Sequence, residues 1–514
     1  MIDTVRFLFL LAESALMPSR RRQQFQSTFR HLLALESLET RAMMAGNVTA
    51  TVSKGTLLIK GDAEANEIII SQTSSAAGKY SITPISGSNT TINGGTAVVN
   101  LENVVRITIK MDAGNDKVGI GNDVELVNEI FDAMADLGDE EQGSSQASAE
   151  EADPEEDPEV SIWDFFGGDD DDDDGFNIED PDFTPQQLAQ LPTRVTGQTI
   201  VDLGDGDDTF LAIIRSNSNL NVDGGKGSDA ILSMLSNVGN MGITADPSKG
   251  TGMASDVVAV VLTTVRGDLG ITTEGGDDAV LVLGTKVTNF GVNAGGPATS
   301  ALTDNDFVVI SSLYAADNVG VQTEVGDDSI FVDDIVADTF KIVAGDGDDQ
   351  VEISGAALLN LGIDTGVGED WVSLTSGEGY DPNIIRRNLT INTGADDDQV
   401  EIEGGLLGMY VGGTMDVKTG AGNDSFLLYN VAVGKSVAID MDTGNDTAVI
   451  DSFDVRNDLT ITMGAGNDIL SVHNLDADRY FVKGGTGNDT LHNLANHQGE
   501  FKHTLFENVD DGAA

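Results

Sequence analysis

Aspartate is the residue whose placement along this 514-residue chain suggests chemistry. It recurs as Asp208, Asp229, Asp256, Asp278, Asp306, Asp328, Asp349, Asp370, Asp398, Asp424, Asp446, Asp468 and Asp489. Most of these close a variant of Φ-x-Φ-x-x-G-x-G-x-D-x-Φ-x-Φ, where Φ is apolar; Leu459 to Val472 is a clear copy. Glycine turns expose backbone carbonyls and the aspartate adds a carboxylate, a hard-oxygen set of the kind calcium takes up with roughly six to eight donors. The alternative is that each aspartate closes its own turn by accepting nearby backbone N–H groups.

The flanking residues say what must position these carboxylates. Apolar residues alternate with period two on both sides of the turn, so they form strands. Many spacings are 21 or 22 residues, and the longer ones contain insertions. A unit of about 22 residues cannot bury its own apolar face and must stack on its copies. The expected fold is all-β, a right-handed parallel β-solenoid intermediate between β-helix and β-roll, about 22 residues per coil. Thirteen coils at roughly 4.8 Å give a rod on the order of 60 Å long. Stacking aligns the aspartates into a ladder whose neighbours repel by roughly 1 kcal/mol in water and several-fold more near protein. Cations or raised pKa values must relieve it.

At this corner the chain resembles the RTX, or hemolysin-type, calcium-binding repeat G-G-x-G-x-D-x-U-x. Gly224-Gly225-Lys-Gly227-Ser-Asp229 and Gly484-Gly485-Thr-Gly487-Asn-Asp489 match in full; the turns ending at Asp208, Asp349, Asp370, Asp424 and Asp468 lack only the first glycine. The resemblance implies calcium held between stacked turns by these aspartates and the glycine backbone. RTX turns recur every nine residues on both sides, whereas here they recur once per coil, so calcium would line one edge. Asp278, Asp328, Asp398 and Asp446 match partially, and Asp256 and Asp306, whose turns lack the glycine spacing, are not assigned as ligands.

Residues 1–46 form an export or targeting region. Arg20, Arg21 and Arg22 are followed by LLALESLETRAMMAG, which resembles the planctomycete extracellular N-terminal motif through Leu35, Glu36, Leu38, Glu39, Arg41, Ala45 and Gly46. That resemblance implies a secreted or cell-surface protein. Residues 47–124 form a small N-terminal β-rich domain, ending in a preview of the repeat from Arg106 to Ile120. Residues 125–194 contain no basic residue before Arg194 and carry six consecutive aspartates, Asp169 to Asp174, as expected of a disordered acidic linker. Trp163, Phe165 and Phe166 interrupt it, suited to a contact with the neighbouring domains. Residues 195–514 are the solenoid and its C-terminal cap.

With 86 acidic against 27 basic residues and a net charge of -59, nucleic acid and anionic membranes are excluded as electrostatic partners, and calcium is the expected cofactor. No apolar run is long enough to span a bilayer, and no cysteine is present. There is no G-x-S-x-G, P-loop or H-E-x-x-H motif, and His473, His492, His497 and His503 fit no zinc spacing. Insertions at 245–255, 294–305, 376–387 and 403–414 project as loops, the last two carrying Tyr380, Arg386, Arg387 and Tyr410. Two functions are open. One is a calcium-binding structural or adhesive protein that contacts surface or matrix glycans or proteins. The other is a polysaccharide-active enzyme, lyase or hydrolase, on a parallel β-helix, which requires a groove setting Arg386 or Arg387 against several acids.

Overall fold

The computed structural model describes residues 46–74, 78–139, 190–246, 254–296, 304–376, 383–494 and 498–510. The export motif ahead of Gly46, most of the acidic segment with Trp163, Phe165 and Phe166, Tyr380 and His497 lie outside them.

The expected alternation becomes a parallel solenoid with three strands per coil. Sheet A holds the strands entering the glycine turn: Thr199–Asp205 pairs with Leu220–Lys226, then Met241–Thr244, then Asp268–Thr272. Sheet B holds the strands leaving it: Thr209–Ala212, Ala230–Met234, Val257–Val261 and Ala279–Leu283. Sheet C is built from short strands, including Ile214–Ser216, Asn237–Val238, Thr264–Val265 and Lys286–Val287. In later coils the three fuse into long bent strands such as Thr447–Ala465 and Ile469–Thr486. The corner from sheet B to sheet C is a single left-handed residue, filled by Asp334, Asn430, Ser452 and Asn474 at φ near +50°. Asparagine and aspartate tolerate that conformation better than most L residues.

The N-terminal β region supplies the first two coils of the same stack. Thr56–Lys60 pairs with Arg106–Lys110, which pairs with Thr199–Asp205; Glu67–Gln72 likewise pairs with Lys117–Ile120, which pairs with Thr209–Ala212. Antiparallel hairpins from Asn47–Ser53 to Thr56–Lys60 and from Glu67–Gln72 to Tyr80–Pro84 close this end. The segment expected to be linker begins with order: α1 (Val124–Asp139) is helical. Asp123 Oδ1 accepts the Leu126 N–H at 3.1 Å, a side-chain cap that satisfies one free amide of the first turn.

Two apolar cores result. One fills the interior of the coils, from Val48 to Leu491. The other lies on the outer face of sheet B, where Leu126, Val127, Ile130 and Phe131 of α1 join Ile69, Leu211 and Leu232. A Cβ at Gly119 would collide with Val127 and Phe131, so glycine there lets the helix reach the sheet. This outer row runs in register through Leu281, Val309 and Phe331, then turns polar as Glu352, Ser373 and Glu401.

Candidate functional site

The corner between sheets A and B brings the recurrent aspartates into one column, as the repeat requires. Their side chains point inward and are at most 2 % exposed. In each, Oδ1 accepts the backbone N–H of the equivalent residue one coil earlier: Asp208 accepts from Asp116 at 2.6 Å, Asp229 from Asp208 at 2.9 Å, Asp349 from Asp328 at 2.9 Å, Asp489 from Asp468 at 3.1 Å. Asp370, Asp398, Asp424, Asp446 and Asp468 do the same. The aspartate therefore bridges coils rather than closing its own turn. Asp256 and Asp306, not assigned as ligands because their turns lack the glycine spacing, belong to the same column, accepting from Asp229 at 2.7 Å and from Asp278 at 3.1 Å. So do Asp278 and Asp328. Asp116 extends the column upstream to the Asn66 amide, and Glu507 ends it by accepting the Asp489 N–H at 2.9 Å. The sequence signal for Asp116 was present in the Gly114-Asn115-Asp116 turn; Glu507 has no such signature.

The residue before each aspartate forms a second, solvent-facing row that runs the other way. Asn467 Oδ1 accepts the Asn488 N–H of the next coil at 3.0 Å, Asn445 that of Asn467 at 2.9 Å, and Asp327 that of Asp348 at 3.0 Å. Consecutive turn amides are thus satisfied in opposite axial directions, and backbone groups that have no strand partner are still paired. Glycine makes this stacking possible. Gly345 and Gly347 adopt φ of +132° and +147°, and a Cβ on either would overlap a backbone carbonyl of the preceding coil, that of Glu324 or Gly326.

Burial governs the inner carboxyls. It pushes Asp229 and Asp349 up to about 9, Asp208 and Asp256 to about 8, and Asp116, Asp328, Asp398 and Asp446 to about 7. Asp278, Asp306, Asp424 and Asp468 move in the same direction for the same reason. Asp370 rises only to about 6, because the Thr365 hydroxyl donates to its Oδ2 at 2.6 Å. In the outer row, bonds from the Asn423 backbone and side chain hold Asp397 below the usual carboxylate range.

The remaining oxygen, Oδ2, is buried without a hydrogen-bond partner in most of the inner aspartates, among them Asp208, Asp229, Asp349, Asp446, Asp468 and Asp489. What it faces depends on the residue five positions earlier. Thr365 fills that place with a donor; Thr273, Thr323, Thr393 and Thr419 stand beside their aspartates and lower the carboxyl pKa, while donating to a carbonyl of the next coil. Leu203, Ala344, Met441 and Met463, all fully buried, fill it with hydrocarbon ahead of Asp208, Asp349, Asp446 and Asp468. Only the two full-length turns carry glycine there. Asp229 Oδ2 and the Ala245 carbonyl border the space a Cβ on Gly224 would take, and Asp489 Oδ2 and the Leu505 carbonyl border that of Gly484.

The turns therefore differ in what lies beside the buried Oδ2. At the Gly224 and Gly484 turns no side chain stands between the buried, unpartnered Oδ2 and the carbonyl of the next coil. At the other described turns a threonine or a buried apolar side chain occupies that place. No group of three or more Asp, Glu or His among the described residues is arranged to hold a metal. No helix among the described residues is long and apolar enough to cross a membrane. No protein-family model matches the chain, and neither curated proteins nor solved structures give a match.

Proposed function

We propose that the chain is a secreted or cell-surface structural or adhesive β-solenoid that binds calcium at its two complete glycine turns. The observation carrying this reading is the pair of glycines, Gly224 and Gly484, that leave no side chain between a buried, unpartnered carboxylate oxygen of Asp229 or Asp489 and a carbonyl of the next coil. Calcium there would supply the positive charge that each buried carboxylate otherwise lacks. The protein's part is to hold the carboxylate by its Oδ1 bond to the preceding coil, which leaves Oδ2 towards the glycine and the next coil's carbonyl. Export rests on the resemblance of Leu35 to Gly46 to the planctomycete extracellular motif.

The enzyme reading is less well supported. Catalysis on an acidic polysaccharide needs a base beside calcium-holding carboxylates, whereas Arg386 and Arg387 are exposed at the end of sheet C and the aspartates are buried at the corner between sheets A and B. The test is the melting temperature of the whole protein in chelator and in calcium, for wild type, Asp489→Asn and Asp446→Asn. A ligand bound only by the native state stabilises it by about 2.7 kcal/mol at a hundredfold excess over Kd. Calcium is expected to raise the wild-type value and that of Asp446→Asn, with a smaller rise in Asp489→Asn. Magnesium, which demands shorter octahedral geometry, is expected to substitute poorly. A melting temperature indifferent to calcium up to ~10 mM, above the range of extracellular calcium modules, refutes the metal reading.

A further inference from the structure

The outward side chains of sheet C form a single in-register row. It runs Arg194, Arg215, Asn237, Thr264, Lys286, Tyr314 and onward through Val336, Ala357, Ile384 and Tyr410 to Ala432. No acidic residue occurs in this row until Asp454, although acids outnumber bases threefold in the chain. Arg266 and Arg386, two positions beyond Thr264 and Ile384, are exposed on the same face, where the Arg266 guanidinium donates to Asn237 Oδ1 and the Ser216 carbonyl; Asp334 and Asp338, on either side of Val336, are exposed acids beside the row. The apolar members are open to solvent: Tyr314 is 48 % and Tyr410 47 % exposed. Lys286 lies over the Tyr314 ring at 5.0 Å.

From these juxtapositions we propose that sheet C is a binding face for an acidic polysaccharide, lying along the solenoid axis. This deepens the adhesive reading above by naming the class of partner, and it uses none of the calcium turns. The row is one side chain wide and roughly 45–50 Å long at the parallel-strand spacing. That strip suits one extended chain. A stable protein partner needs about 800 Å² of surface on each side, broader than a single row. Arginine and lysine meet carboxylate or sulfate groups, arginine in bidentate fashion. The exposed tyrosines offer flat apolar rings with a hydroxyl at the edge, matched to the mixed apolar and polar faces of sugar rings. The chain's charge of -59 sets an upper limit on the partner's charge density. Duplex DNA, with one charge per roughly 1.7 Å, is repelled by the acidic corner, whereas a polymer with one charge per sugar lowers that repulsion and keeps the local pairing.

The test measures binding of polygalacturonate and of its fully methyl-esterified form to the whole protein, by calorimetry, in chelator and in calcium. The expected result is low-salt binding of the acidic form that persists in chelator and falls at least tenfold in Lys286→Glu with Arg386→Glu. Tyr314→Ala with Tyr410→Ala is expected to weaken it several-fold. All four sites are exposed, so melting temperatures are expected to stay near wild type; should the charge reversals lower them, Lys286→Gln with Arg386→Gln supplies the same comparison. Binding that appears only with calcium, that is unchanged in the row variants, or that is matched by duplex DNA or phosphatidylserine vesicles overturns the proposal. Loss of the calcium effect on melting with polygalacturonate binding intact would remove the metal reading and leave this one standing.

Discussion

The two side-chain rows of the glycine corner sit one residue apart in sequence and behave as opposites. The inner row is buried, bonds to the amide of the coil before, and burial pushes carboxyl groups such as that of Asp349 up towards neutrality. The outer row is solvated, bonds to the amide of the coil after, and lowers the pKa of Asp397. The same bond type thus carries different consequences, because water can replace a lost partner only on the outside. The difference also explains composition. The outer row accepts Asn, Asp and Ser in turn, as at Asn445, Asp327 and Ser228, whereas the inner row is aspartate from Asp116 to Asp489.

The largest expected separation between the rows is in pH. A buried aspartate with a raised folded-state pKa contributes stability that is complete below its unfolded value, near 4, and is lost as pH rises towards the folded value. With Asp208 and Asp256 at about 8 and Asp229 and Asp349 at about 9, the inner row loses stability from pH 4 to 9. In chelator, the melting temperature is expected to fall by roughly 10 °C or more between pH 5 and pH 9, at ~2–4 °C per kcal/mol. Calcium should blunt the fall, since it takes the deprotonated carboxylate. A flat profile in chelator would show that the inner carboxyls are not held neutral.

A single inner rung comes next. Asp349→Ala leaves the Asp328 amide buried without its acceptor, an expected loss of about 1–3 kcal/mol in denaturant unfolding. Asp349→Asn retains the acceptor and removes the ionisable group, so it is expected to keep wild-type stability at pH 5 and exceed it at pH 9. Equal losses in the two variants would mean that packing, not the Oδ1 bond, is what the residue supplies. The smallest effect belongs to the outer row. Asn467→Ala removes the acceptor of the exposed Asn488 amide and is expected to cost less than about 1 kcal/mol, with no change in the pH profile. A loss as large as that of Asp349→Ala would erase the distinction between the rows.

Much of the corner was legible before any coordinates. The glycine and aspartate spacing places the turn, and alternation such as Leu459, Ile461 and Leu470, Val472 places the strands on either side, all of them buried. Asp256 and Asp306 stand in the recurrence even though their turns lack the glycine spacing, and the fold keeps them in the column. In the fold, the position in the coil admits an aspartate to the column, and the glycines only let backbones approach. The importance of the residue five positions before each aspartate was also hidden. Threonine, methionine and glycine at that place look like ordinary strand variation until the turn brings Thr365 within 2.6 Å of Asp370.

The sequence by itself determined the repeat length, the strand–turn–strand unit and the stacking that follows from a unit too small to bury its own apolar face. These depend on contacts within about 15 residues, where spacing is geometry. Tertiary structure alone decided that the aspartates bond across coils, that the first 75 residues of β structure join the same stack, and that Arg194, Arg215, Lys286, Tyr314 and Tyr410 share one face. Those relations link residues 21 to 92 positions apart through insertions of unequal length. Parallel pairing fixes which residues meet only after every inserted loop has been placed outside the coil, and a one-residue slip would turn each side chain to the opposite face.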